Sequence, residues 1–122
     1  YMPSLATFDR LTTPEGKEDF VYGFVGENIN RVAKRSLRGL RLREVLTGPS
    51  RKDILAEYEQ TLREGRPSAS RGSVDISDMF WVHYLRFLYP VRRRGELRHL
   101  LCFMLFAPQA KAEASGFSKR AG

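Results

Sequence analysis

Cysteine, histidine and long apolar runs are all scarce in this chain. It has one cysteine, Cys102, and two histidines, His83 and His99. A single thiol excludes an internal disulfide and any cysteine-based metal cage. Cys102 lies inside "LLCFMLFA", Leu100 to Ala107, and reads as a buried inert thiol rather than a nucleophile. That run is the longest near-continuous one, and it falls far short of the roughly 20 residues that span a bilayer. No charged-then-apolar leader opens the sequence, so the expected location is the cytoplasm. Ser-His-Asp, His-Glu-x-x-His and clustered-carboxylate patterns are missing, and no enzyme activity is expected.

What is present is an ordinary globular balance, 42% hydrophobic and 29% charged over 122 residues, enough for one domain with a core. The unusual total is a net charge of +7. Such a charge favours acidic partners and says nothing about fold. Much of it sits in Arg31, Lys34, Arg35, Arg38, Arg41 and Arg43, and in Arg92, Arg93, Arg94 and Arg98. Both groups read first as solvated faces.

The stretch "FVYGFVGENINRVAKRSLRG", Phe20 to Gly39, opens like a phosphate-binding strand–glycine–helix unit. Gly23 and Gly26 match neither the P-loop nor the dinucleotide pattern. Their expected roles are a close sheet approach and a strand end.

Periodicity assigns the rest. "LATFDR" is a short strand, and "FVYGFV" is a second with Phe20, Tyr22 and Phe24 on one side. "ENINRVAKR" is a short helix, and "LREVL" a further helical turn. In "SRKDILAEYEQTLREG", Ile54, Leu55, Tyr58 and Leu62 form a helical stripe, Ser50 and Asp53 take capping-box positions, and Gly65 ends the helix. "SASRGSVDIS" alternates as a polar edge strand. "WVHYLRFLYPVRR" places Trp81, His83, Leu85, Phe87, Tyr89 and Val91 on one face, expected to be the core side. "RRGE" is a hairpin turn before a long last strand. From Pro108 the apolar period is lost, so residues 1–107 are the expected domain and 108–122 a polar tail, either an exit helix or without fixed structure.

The order is β-β, short helices, one long helix, then three antiparallel strands. With "FVYGFVGENI", "SLRGLRLREVL", "YEQTLREGRP" and "FLYPVRRRGELRHLLCFMLF" it resembles the PAS domain family, and is most similar to compact bacterial PAS proteins. The resemblance runs from about Leu5 to Ala107. It implies an α+β fold, a five-stranded antiparallel sheet cradling a small cavity against helices on one face. It also implies sensing or partner binding in signal transduction rather than catalysis.

On that resemblance, Tyr22, Phe24, Asn28, Trp81 and His83 are the candidate lining of a ligand cavity, with Asn28 and His83 fixing the polar end. His83 is also the candidate for a haem ligand, with His99 second, since some PAS domains bind haem through one histidine. Flavin photosensors of this type carry an Asn-Cys-Arg-Phe stretch, which is missing here. Arg31 and Arg35 match half of the signature of PilZ domains, which bind cyclic di-GMP, but Lys34 stands where the other half needs an acidic or amide residue.

The last strand is apolar on both faces, whereas an antiparallel sheet normally leaves one face wet. A second copy, a further segment or the folded-back tail must cover one of them. The expected homodimer face is Leu100, Cys102, Met104 and Phe106. The basic patch Arg31, Lys34, Arg35 and Arg38 is the candidate contact for an acidic signalling protein. The alternatives are a ligand-free protein-interaction module and a basic nucleic-acid- or nucleotide-binding protein. Against nucleic acid, the aromatics are not interleaved with the basic residues.

Overall fold

The structure, a computed structural model, describes residues 2–46, 48–75 and 80–110. Two N-terminal strands, β1 (Met2–Thr12) and β2 (Glu18–Val25), lead into α1 (Glu27–Ala33), α2 (Leu42–Val45) and α3 (Arg51–Glu64). Three strands follow: β3 (Ser68–Asp75), β4 (Phe80–Arg93) and β5 (Glu96–Ala110). They form one five-stranded sheet in the order β2-β1-β5-β4-β3, and every neighbouring pair is antiparallel. The strand β5, apolar on both faces, takes the centre and pairs with β1 along one edge and β4 along the other. The polar β3 is an edge, as its alternation predicts.

The helices cover one face of the sheet. On α3 the stripe Ile54, Leu55, Tyr58 and Leu62 is buried against Phe8, Phe20, Leu88 and Leu100. Gly65 closes α3 in the left-handed conformation. Its start differs from the expected capping box, because Ser50 is itself in a helical conformation and its side chain caps nothing. A carboxylate does hold the short α2. Asp19, 1% exposed, accepts hydrogen bonds at Oδ1 from the backbone N–H groups of Phe20 (2.8 Å) and Arg43 (3.2 Å). An anion there also suits the positive end of the helix.

Gly23 and Gly26 belong to the frame. A Cβ on Gly23 would lie 2.7 Å from Thr7 Oγ1, and one on Gly26 would lie 3.0 Å from the Leu5 carbonyl oxygen. Close passage of β1, not a phosphate, demands glycine at both. The helix α1 ends earlier than expected, at Ala33, with Lys34 left-handed at its cap (φ 60°). Arg35 therefore sits beyond the helix and does not share a helical face with Arg31. The strand β5 runs later than expected, to Ala110, with Pro108 opposite Val82 and Gln109 opposite Trp81. The rest of the tail lies outside the described residues. No helix among the described residues is long and apolar enough to cross a membrane.

The β4–β5 hairpin turns through Arg94 (φ 54°) and Gly95 (φ 83°). Two consecutive positive φ values make the type I′ turn, which favours Asn-Gly. Arginine has no side-chain reason to be there, and a left-handed residue with a bulky side chain is strained by roughly 1 kcal/mol. Arg94→Asn should therefore stabilise the domain by about 0.5–1 kcal/mol, read as a higher urea midpoint at unchanged slope. An unchanged or lower midpoint would contradict the turn assignment.

Candidate functional site

Between the sheet and the helical layer lies a cavity of about 100 Å³. The sheet contributes Tyr22 from β2, Val82, Tyr84 and Arg86 from β4, and Met104 and Phe106 from β5. The helical side contributes Ile29, Val32 and Ala33 of α1, Arg35 and Leu37 beyond it, and Tyr58 of α3. The lining is apolar except for three phenols and two guanidinium groups. Among the described residues that line it there is no Asp, Glu, His, Asn or Gln. Arg35 is exposed and marks the open side.

Arg86 is the unusual member. It projects from the middle of β4 toward the helices and is 4% exposed. Its Nη2 donates to Glu57 Oε2 of α3 (2.5 Å) and to Ser70 Oγ of β3 (3.3 Å). The guanidinium lies over the rings of Tyr84 and Tyr58, 4.7 and 5.1 Å from their centroids. Burial opposes its charge, but Tyr58, Tyr84 and Glu57 more than offset this and hold it above its ordinary range. Two buried atoms of the pair, Arg86 Nε and Glu57 Oε1, make no hydrogen bond. Burial raises the pKa values of Tyr22 and Tyr58, so both remain protonated phenols at neutral pH. It also pushes the Cys102 thiol up to about 11, as expected of an inert side chain.

The five expected ligand contacts are separated. Tyr22 lines the cavity. Phe24 does not, being 61% exposed. The pairing of β1 with β2 shifts between Ala6 and Phe8, and the alternation that buries Phe20 and Tyr22 does not carry to Phe24. Asn28 instead donates from Nδ2 to the Pro3 carbonyl (3.0 Å), tying α1 to β1. Trp81 and His83 are on the opposite face of the sheet. His83 Nδ1 is 2.7 Å from Ser73 Oγ and Nε2 is 2.7 Å from Gln109 Oε1, so neither nitrogen reaches the cavity as a haem ligand. His99 is paired across strands with Asp9. The residues that face inward on β4 are Val82, Tyr84, Arg86 and Leu88. The expected parity was inverted because the buried arginine made the true core face look like the polar one.

The expected dimer face is corrected for the same reason. Leu100, Cys102 and Phe106 are at most 2% exposed and Met104 packs against them. They lie beside Phe8, Ala6 and Tyr84 of the neighbouring strands, all inward-facing. The apolar face that no described helix covers is the other one: Leu101, Phe103 and Leu105 of β5, with Leu5, Leu85 and Phe87 opposite them. Of the basic patch, Arg31 is engaged by Glu27 (3.3 Å), and Arg35 and Arg38 are exposed.

No family model matches the sequence, and no curated protein is close enough to it in sequence to count as a match. Solved structures do match in fold. The LOV protein of Rhodobacter sphaeroides superimposes with a TM-score of 0.63 at 18% identity, over 84% of this chain and 58% of its own. This chain thus spans little more than half of that protein. A light-oxygen-voltage domain studied with a flavin analogue matches at 0.60 and 13% identity, over 98% of this chain and 87% of that one. The N-terminal domain of a diguanylate cyclase with PAS/PAC sensor from Marinobacter aquaeolei matches at 0.63 and 11%, over 85% and 94%. The fold is that of PAS and LOV domains.

A flavin analogue is named with one of these neighbours, and the residues here do not fit a flavin. The cavity, about 100 Å³, is below the roughly 300 Å³ at which pockets for larger organic ligands begin. Cys102 is buried in the sheet and is not part of the lining.

The Arg86–Glu57 pair gives a stability test. Arg86→Met leaves a largely buried carboxylate without its partner and should cost about 3 kcal/mol in urea denaturation. Adding Glu57→Leu should recover most of that loss. If single and double variants lose equally, the pair does not hold α3 to the sheet.

Proposed function

We propose that this PAS-fold chain is a non-catalytic regulatory sensor domain. In this reading a small molecule occupies the cavity, and the signal leaves through self-association on the outer face of the sheet. The supporting observation is the division of labour between the faces. One face is closed by helices over a small, polar-tipped cavity, and the other is apolar and uncovered by any helix among the described residues. Leu5 is 42% exposed and Trp81 38%, with Leu101, Phe103 and Leu105 half-buried beside them. Contiguous exposed apolar surface on a sheet marks an interaction site, and a flat antiparallel face suits an identical face by two-fold symmetry. A ligand would act by changing how α1 and α3 sit on the sheet, since both elements line the cavity. The exposed Arg35 and Arg38 offer a secondary contact for an acidic signalling protein.

Sedimentation velocity tests the association. The chain should be a dimer, and Phe103→Glu should make it a monomer while leaving its circular dichroism spectrum unchanged. A wild-type monomer at tens of micromolar, or a variant that remains dimeric, would overturn the assignment of this face.

A further inference from the structure

We propose that the cavity is a binding site for a short-chain carboxylate, with the carboxylate held by Arg86 and Arg35 and the tail against the apolar wall. This names the ligand class for the sensor reading above and rests on it. The charges of the cavity are of one sign. Arg86 and Arg35 donate hydrogen bonds and cannot accept them, and Tyr22, Tyr58 and Tyr84 bring hydroxyls that can donate to an anion as well as accept. With no acidic group among the described lining residues, nothing there neutralises a bound cation.

An anion finds several. Arg86 is 4% exposed, its described hydrogen bonds both leave from Nη2, and its buried Nε has none. An unpaired buried donor on a charged group is costly. A carboxylate is the acceptor that guanidinium groups hold most strongly, because the hydrogen bonds are charge-assisted. Glu57 neutralises Arg86 but is not part of the lining, so Arg35 leaves the cavity with a net positive charge.

Volume sets the tail. A cavity of about 150 Å³ admits benzene. The present one, about 100 Å³, accommodates acetate, propionate or butyrate but not a fatty acid. Ile29, Val32, Val45 and Val82 supply the wall that such a tail needs.

The experiment is isothermal titration calorimetry of the full chain with sodium propionate and with propanamide, at matched ionic strength in sodium chloride. Propionate should bind at least tenfold more tightly than the neutral amide, and octanoate should not bind. Arg35→Gln, at an exposed position, should weaken propionate several-fold. Ala33→Met, which fills the cavity from its wall, should abolish binding with the fold intact by circular dichroism. The Arg86→Met/Glu57→Leu double variant should bind propanamide as before and lose its preference for propionate. A dimeric chain that binds both probes equally would overturn the carboxylate assignment and leave the sensor reading standing. A monomer that binds neither would overturn both.

Discussion

A guanidinium held between two tyrosine rings ties the helical layer to the sheet and fixes which way β4 faces. Arg86 enters the interior from the middle of that strand, where an uncompensated charge would be prohibitive. Glu57 and Tyr58 come from one turn of α3, and Tyr84 and Ser70 come from the sheet. These groups can surround the guanidinium only if α3 lies across β4 and β5. Replacing such a pair by apolar residues is often neutral for stability. Its net contribution to stability is therefore small beside the cost of removing one partner alone.

The parity of β4 has a consequence on each side. Inward, it places Val82, Tyr84 and Leu88 against the helices and gives the cavity its only fully buried charge among the described lining residues. Outward, it leaves Trp81, Leu85 and Phe87 on a face that no helix among the described residues covers. Phe87 contacts Phe103 of β5 with ring centroids 6.3 Å apart, which extends the apolar surface across two strands. The interior keeps the usual apolar majority, with Asp19 and Arg86 as its buried charges, so what sets this sheet apart is the apolar patch on its outer face. Such a patch makes a covered outer face the economical expectation.

Much of the architecture could be read before the structure: the order of elements, the polar edge strand, the α3 stripe, its end at Gly65 and the hairpin after Arg93. These rest on local chemistry, namely periodicity, glycine and turns. The inverted faces of β4 and β5 share one cause. Where both faces of a strand are apolar, alternation defines two faces but cannot say which is inside. A lone arginine was then taken as the mark of solvent. The corrective signal was present in α3. Thr61 borders the arc of Ile54, Tyr58 and Leu62 and Glu57 lies one step further round, so a carboxylate stands at the edge of the buried stripe, where it meets Arg86. Asp19 was missed differently, since a buried carboxylate that holds two backbone N–H groups looks like any polar residue at a strand start.

Strand geometry also bears on how a ligand could be felt outside. Adjacent residues of β4 point to opposite faces, so Arg86, beside the cavity, is one peptide from Leu85 and Phe87 on the outer face. A carboxylate drawn to Nε would compete for the guanidinium with Glu57, whose grip holds α3 down. Loosening that grip changes the load on the centre of β4, the strand that carries both Phe87 and the register with β5. Spatial closeness alone does not establish coupling; an element with two arrangements that both sites bias does. The Arg86–Glu57 contact lies where the two would have to meet: it is a short ion pair with an unsatisfied atom on each partner, packed between a helix and the strand whose other face carries Phe87.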